Sequence, residues 1–286
     1  MNNQIKRVGV VGAGAMGSQI AMVCALAGYP VVLQDISQAS LDRGIQSLQA
    51  QMQKRIDKGR LDERQVDEAF AKISTTLSLH GLSDADLIIE AATEKLDIKR
   101  EVFKQLDSIV KVEAIFATNS STIVSSKVAD ATFRPDKVCN IHFFNPALVM
   151  ELVEVVKGPH TSEKTAQIAH DFVKSIKKTP VLLNKEISGF IANRILGKLM
   201  DEAVFLLENG YASHEEIDLV CTKALNHPIG PFALMDLTGI DVNYFVRMQR
   251  FEESGNEKDK PAELIREKVN KGELGRKTGK GFYTYS

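Results

Sequence analysis

The sequence predicts an α/β fold, a mainly parallel sheet followed by an all-helical C-terminal domain, and three observations carry that expectation. Up to about Leu183, short β-branched runs alternate with helical patterns, as repeated βαβ units require. From Ser188 onward the strand signals stop and only helical patterns remain. Near the N-terminus, Val8-Gly9-Val10-Val11-Gly12-Ala13-Gly14-Ala15-Met16-Gly17 reads as a strand turning through glycines into a helix.

In chain order, strands are expected at residues 7–11, 31–33, 87–90, 115–118, 137–142, 152–156 and 181–183. An oversized insert, residues 38–86, separates the second strand from the third, far more than a plain crossover needs. Its middle reads as one helix ending at Gly59 and another starting near Asp62, a projecting helical hairpin with a basic elbow. A long helix is expected from Ser188 to about Asn209, stopped by Gly210. Ser213-His214-Glu215-Glu216 then forms a capping-box start, and a further helical stretch begins near Asp241. Residues 251–260 read as a polar connection, and 272–281 as a tail rich in glycine and lysine. The expected division is a Rossmann-like domain at 1–186 and a helical domain at 187–286.

Bulk properties narrow the function classes. With 36 basic and 37 acidic residues, a net charge of −1, no global field favours nucleic acid or a membrane surface. The three cysteines, Cys24, Cys139 and Cys221, are far apart and lack CxxC spacing, which argues against disulfides or structural zinc and for a reducing compartment. Residues 1–4 lead straight into a strand pattern without a basic leader. The longest apolar stretch, residues 20–33, is broken by Gly28 and Pro30. A cytoplasmic protein with no membrane partner, no nucleic-acid partner and no metal is expected; an organelle protein with its transit peptide removed would read the same.

The glycine turn has a chemical meaning. Gly12, Gly14 and Gly17 permit the tight turn, close approach of backbone to a pyrophosphate, and close helix–strand packing. The helix start at Ala15 and Met16 supplies N–H groups and partial positive charge. Asp35, 18 residues after Gly17 at the end of the second strand, can accept from the hydroxyls of an adenosine ribose. Ile36-Ser37-Gln38 offers no arginine to a 2′-phosphate, so NAD is expected over NADP.

A nicotinamide enzyme acting on an alcohol needs a group for the hydroxyl proton, and histidine suits that work. Of six histidines, only His142 ends a strand on the carboxyl side of the sheet, where open α/β folds place their ligands. If the chain reverses after Asn145-Pro146, the midpoint between His142 and Glu154 is Leu148, near the turn. An antiparallel return would then set the two side by side, with Cβ atoms about 4.5–5.5 Å apart. Pairing would relieve a buried carboxylate and fix the ring tautomer. The alternative is an edge strand with Glu154 in water and His142 as an ordinary core histidine. Two more polar features interrupt apolar surroundings. Thr118-Asn119-Ser120-Ser121-Thr122 follows a strand, where it is also a common turn sequence. Asn193 lies off the charged face of its helix, where it could equally bond to helix-start backbone.

Taken together, these residues resemble the L-3-hydroxyacyl-CoA dehydrogenase family, including its short bacterial 3-hydroxybutyryl-CoA members. The resemblance spans the chain: GAGAMG at 12–17, Asp35, EAATEKLDIK at 90–99, NSST at 119–122, HFFNPALVMELVEVV at 142–156, SGFIANR at 188–194, NHPIGPFALMD at 226–236 and GRKTGKGFYTY at 275–285. HFFNP with a glutamate 12 residues beyond its histidine is the most specific of these. The resemblance implies interconversion of an (S)-3-hydroxyacyl-CoA, such as 3-hydroxybutyryl-CoA, with its 3-oxoacyl-CoA, here acetoacetyl-CoA. It implies His142 as acid/base, Glu154 as its orienting partner, and Ser121 and Asn193 bonded to the substrate. Glu94, Lys99, Asn119 and Lys277 would join the glycine turn at the NAD site. Lys54 and Lys58, with Arg55 and Arg60, would contact the CoA phosphates. The family often reads NTSS where this chain has NSST, which keeps Ser121 in place and exchanges one hydroxyl residue for another at Thr122. A homodimer through the helical domain is also implied, in keeping with the apolar surface of residues 191–207. Two other readings stay open: a sugar-acid dehydrogenase of the L-gulonate type, and a non-catalytic NAD-binding protein of the same fold.

Overall fold

The computed structural model describes residues 5–285; residues 1–4, expected to lead directly into the first strand, and residue 286 lie outside the described residues. The first unit runs β1 (Val8–Val11), α1 (Ala15–Leu26), β2 (Val31–Gln34), α2 (Gln38–Asp57), α3 (Glu63–Phe70), β3 (Ile73–Thr76), β4 (Leu87–Glu90), α4 (Leu96–Ile109) and β5 (Ile115–Thr118). It continues through a short α5 (Ser126–Ala129), β6 (Val138–Phe143), β7 (Leu152–Val156), α6 (Glu163–Ser175) and β8 (Thr179–Leu183). Contacts divide the chain between Phe190 and Ile191. The second unit holds α7 (Ala192–Glu208), α8 (His214–Lys223), α9 (Pro231–Thr238), α10 (Ile240–Ser254) and α11 (Glu263–Asn270).

One eight-stranded sheet has the order β3-β2-β1-β4-β5-β6-β7-β8. Its pairings are parallel except β6–β7, which is antiparallel. Strand order reverses at β1, which pairs with β2 on one side and β4 on the other. Such a reversal opens a crevice at the carboxyl ends of the strands. Strands β1, β2, β4, β5 and β6 are buried on both faces because helices cover both. Val10, Leu33, Ile89 and Ile141 pack on α1 and α6, while Val11, Val32, Ile88 and Phe116 pack with Phe103 and Leu106 of α4. Helix α1 carries no polar stripe, and Gly17 through Ala25 are all buried, as expected of a helix enclosed on every side.

The insert is a helical hairpin, as its sequence suggests, but it also contains a strand. Helix α2 ends at Asp57, and Gly59 (φ +63°) turns the elbow. Asp62 then opens α3 with a capping box completed by Gln65. Strand β3 follows and adds to the sheet edge beside β2. Its sequence Ile-Ser-Thr-Thr has one aliphatic residue and little burial, so neither alternation nor an apolar run announces it.

Three differences arise in the helical unit. Helix α7 begins at Ala192 rather than Ser188, because Gly189 (φ +77°) and Phe190 (φ +49°) are left-handed and cannot belong to a right-handed helix. Helix α10 runs on to Ser254 and stops at Gly255 (φ +64°), so the expected polar connection is shorter. Helix α9 was not anticipated, since Pro231 at its first turn reads as a breaker out of context. Two buried carboxylates organise this unit. Asp236 accepts from the N–H groups of Phe282 (2.9 Å) and Tyr283 (2.8 Å) and from the Tyr285 hydroxyl (3.0 Å). Asp218 accepts from the N–H groups of Phe232 and Ala233 (both 2.9 Å) and from the Tyr283 hydroxyl (2.9 Å). Together they fasten the C-terminal tail to the helices.

All three cysteines are buried thiols. Burial pushes Cys24 and Cys139 up to about 12, so neither is a nucleophile at neutral pH. Among the described residues no helix is long and apolar enough to cross a membrane.

Candidate active site

The glycine turn sits at the carboxyl end of β1, at the strand-order reversal. Gly12 has φ +97°, and a Cβ there would lie 2.6–2.8 Å from the backbone of Ala91 and Ala92. A Cβ on Gly17 would collide with the Gly12 carbonyl, so these two glycines close the turn. Gly14 differs: open space surrounds its Cβ position, and Gly14 and Ala15 are exposed. Gly14 caps α1 without a side-chain hydrogen bond, and no acidic residue occupies the first turn. The N-terminus of α1 therefore offers N–H groups and partial positive charge to an anion. Asp35 is bound over this turn, accepting from the N–H of Ala13 (2.8 Å) and of Ser37 (2.9 Å). A dinucleotide fits this cradle: an open glycine face, an uncapped helix start, and a fixed carboxylate at the end of β2. Gly17→Ala should weaken NADH binding at least about tenfold, or ~1.4 kcal/mol, in a fluorescence titration. Wild-type affinity would refute this account of the turn.

The ends of β4 and β5 support the turn from the other side. Glu90, wholly buried, accepts from Ala92 N–H (2.9 Å), the Lys99 ammonium (2.6 Å) and the Thr118 hydroxyl (2.9 Å). Lys99, expected to line the NAD site, is 1% exposed and is bound to Glu90, so the cation underpins the β4–α4 loop instead of lying open on it. Ala91 and Ala92 in that loop are the residues that crowd Gly12. Glu94 is exposed and receives a hydrogen bond from the Ser120 hydroxyl. Asn119 accepts from the N–H of Phe143 (2.9 Å), which ties the end of β5 to the end of β6.

The antiparallel register of β6 and β7 pairs His142 with Glu154 directly. Nδ1 of His142 lies 2.9 Å from Oε2 of Glu154, and the two side chains are 3% and 1% exposed. Nε2 lies 2.9 Å from the Ser121 hydroxyl. Where Nδ1–H donates to the carboxylate, Nε2 presents a lone pair toward the Ser121 hydroxyl. Three hydrogen-bonded residues thus run from a buried carboxyl group to a half-buried hydroxyl at the carboxyl end of the sheet.

The loop joining β6 and β7 is held by polar side chains from two helices and one turn. Gln19 accepts from Leu148 N–H (3.2 Å), Arg55 donates to the Leu148 carbonyl (2.8 Å), and Lys178 donates to the carbonyls of Ala147 (2.8 Å) and Met150 (2.6 Å). Burial, then the Arg55 charge, lowers the Lys178 ammonium below the ordinary lysine value. Arg55, expected with the rest of the basic elbow at the CoA phosphates, is therefore a brace for this loop. Lys54 and Lys58 are exposed on the hairpin.

Two expected residues lie in the second unit. Asn193 is half-buried in the first turn of α7, and its carbonyl accepts from Arg250 (3.5 Å). Lys277 is exposed and paired with Asp241 (2.6 Å). Sequence reading overlooked Glu90, whose one signal was a carboxylate closing the apolar strand Leu87–Glu90. It also overlooked the rings of Phe144 and Phe190 against His142, which nothing in the apolar pattern distinguishes from core. Among the described residues no group of three or more His, Cys, Asp or Glu side chains could hold a metal ion.

A sheet of Rossmann type with a glycine cradle at its switch point, and a histidine bonded to a carboxylate and a hydroxyl nearby, outlines a nicotinamide-dependent oxidoreductase. Comparison with known proteins makes this specific. Residues 7–187 match the 3-hydroxyacyl-CoA dehydrogenase NAD binding domain, and residues 189–285 match the 3-hydroxyacyl-CoA dehydrogenase C-terminal domain. A 3-hydroxybutyryl-CoA dehydrogenase of Clostridioides difficile is 40% identical over 280 residues, covering 98% of this chain and 99% of the relative. The crystal structure of an (S)-3-hydroxybutyryl-CoA dehydrogenase from Ralstonia eutropha superposes with a TM-score of 0.93 at 42% identity, covering 99% of both chains. That of M. tuberculosis FadB2 gives 0.93 at 38% identity with the same coverage. The chain belongs to the 3-hydroxyacyl-CoA dehydrogenase family and is an NAD-dependent oxidoreductase acting on a CH–OH group.

Proposed function

We propose that this chain interconverts 3-hydroxybutyryl-CoA, the (S) isomer, and acetoacetyl-CoA. The observation that carries the reading is the hydrogen-bonded series Ser121–His142–Glu154 at the carboxyl end of the sheet. Bound NAD supplies the hydride acceptor for the C3–H bond. In the oxidation direction Nε2 of His142 takes the 3-hydroxyl proton, and Glu154 stabilises the imidazolium that results. In the reverse direction the imidazolium returns that proton to the 3-oxygen. Ser121 is assigned a hydrogen bond to the 3-oxygen, and Asn193 one to the thioester carbonyl. Gly12, Gly14, Ala15, Met16, Gly17 and Asp35 would hold the dinucleotide, with Glu94, Asn119 and Lys277 as further contacts and Lys99 acting through Glu90. Lys54 and Lys58, exposed and cationic, are assigned to the CoA phosphates.

The helical unit, expected from sequence at 187–286 and set apart by its contacts from Ile191 onward, is assigned to substrate binding and to a homodimer. Support for the dimer is the apolar surface of Ile195, Phe205, Tyr211, Leu219, Val220 and Leu225, beside a groove of about 330 Å³ lined by Leu199, Leu206 and Ile217. Buried thiols and balanced charge fit a reducing cytoplasm.

The deciding experiment compares NADH oxidation with acetoacetyl-CoA against NAD reduction with L-gulonate. Turnover of the thioester is expected, with kcat/KM at least about tenfold higher for NADH than for NADPH because Asp35 would face a 2′-phosphate. Turnover of L-gulonate alone would overturn the substrate. A preference for NADPH would overturn the role of Asp35.

A further inference from the structure

We propose that Phe190 is a positioning residue for His142, holding the imidazole at the angle its chemistry needs; this rests on His142 being the acid/base group. Two hydrogen bonds fix the ring nitrogens, yet χ2 of histidine is a broad torsion that two bonds at the ring edge restrain only in part. Aromatic rings supply the missing restraint. The Phe190 ring lies 5.3 Å from the imidazole at an interplanar angle of 57°, and the Phe144 ring lies 4.6 Å away at 64°.

The backbone at Phe190 shows how firmly that ring is placed. A bulky residue at φ +49° is disfavoured sterically and persists only where its surroundings over-determine it. Here they do. Gly189, also left-handed, donates its N–H to the Ser121 carbonyl (3.2 Å), and Phe190 donates to the Ile187 carbonyl (3.0 Å). Glu186 accepts from Ser126 N–H (3.1 Å) and the Ser125 hydroxyl (3.3 Å). The ring itself is 1% exposed and packs with Val156 and Leu183. The segment carrying Phe190 is thus fastened to the loop carrying Ser121, and its ring meets the base that Ser121 also touches. The left-handed turn is what aims the ring at His142.

Phe190→Leu keeps apolar bulk but removes the flat face, and Phe190→Gly suits the left-handed backbone while removing the ring. For both variants of the full-length protein we expect NADH affinity within about twofold of wild type. We expect kcat with acetoacetyl-CoA to fall about 10- to 100-fold in Phe190→Gly and by a smaller factor in Phe190→Leu. In ¹⁵N NMR the His142 imidazole signals should shift and broaden as the ring samples a wider range of χ2. If either variant keeps wild-type kcat, or loses kcat with an unchanged imidazole spectrum, the positioning role is overturned, whatever happens to thermal stability. His142→Gln in the same assay separates the two ideas. An active His142→Gln removes the acid/base reading and this inference together. An inactive one beside fully active Phe190 variants removes this inference alone.

Discussion

His142→Gln should lower kcat for acetoacetyl-CoA reduction by about 10³- to 10⁴-fold. Glutamine nearly fills the space of the ring and keeps hydrogen-bonding atoms near Glu154 and Ser121, but its amide neither takes nor gives a proton at neutral pH. The dinucleotide cradle is built elsewhere, from the ends of β1, β2 and β4, and shares no hydrogen bond with His142. Affinity for NADH should therefore change by less than about twofold. Steady-state rates and a fluorescence titration measure the two quantities. Turnover near that of the unaltered enzyme would remove His142 from the chemistry.

Glu154→Gln should have the next largest effect, with kcat down by about 10²- to 10⁴-fold. The amide oxygen can still accept from Nδ1–H, so the hydrogen bond survives while the charge is lost. The fold should persist, and its thermal transition is the control. What changes is the imidazolium, which no longer has an anion 2.9 Å from Nδ1 in a buried setting. In the reduction direction the protonated ring is the proton donor. Losing the anion removes a charge that favours that form, so the pH–rate profile should change along with kcat. A variant with unaltered kcat and an unaltered profile would make Glu154 a packing residue.

The pairing behind both expectations was legible in the sequence because a sheet repeats every two residues. A reversal after Asn145-Pro146 puts positions 142 and 154 opposite each other, and the observed register does so. The strand cores were legible for a different reason: buried parallel strands read as unbroken apolar runs. Strand β3 was not legible, because an edge strand with a polar sequence takes its structure from its neighbour β2 more than from its own residues. Nor was the role of Arg55. On a helix it is one more cation in a basic run, and only the folded loop brings the Leu148 carbonyl to it. Phe190 was hidden more deeply. SGFIANR reads as the start of a helix, and a left-handed phenylalanine has no sequence signal, because the contacts that impose it lie more than sixty positions away at Ser121 and Ser125–Ser126.

The buried pair of Glu90 and Lys99 bears on how this chain can change over generations. Removing one partner leaves the other as an uncompensated charge in the interior, at about 3–5 kcal/mol, a large share of what a folded domain has to spare. Removing both in favour of apolar residues of similar volume can be nearly neutral. Single substitutions at either position therefore lead downhill, and the neutral route to a different residue passes through two simultaneous replacements. Thr118 and the Ala92 N–H share the same carboxylate, which narrows the route further. The floor beneath the glycine turn should consequently drift as a unit or not at all, while exposed neighbours such as Lys95 and Asp97 remain free to vary.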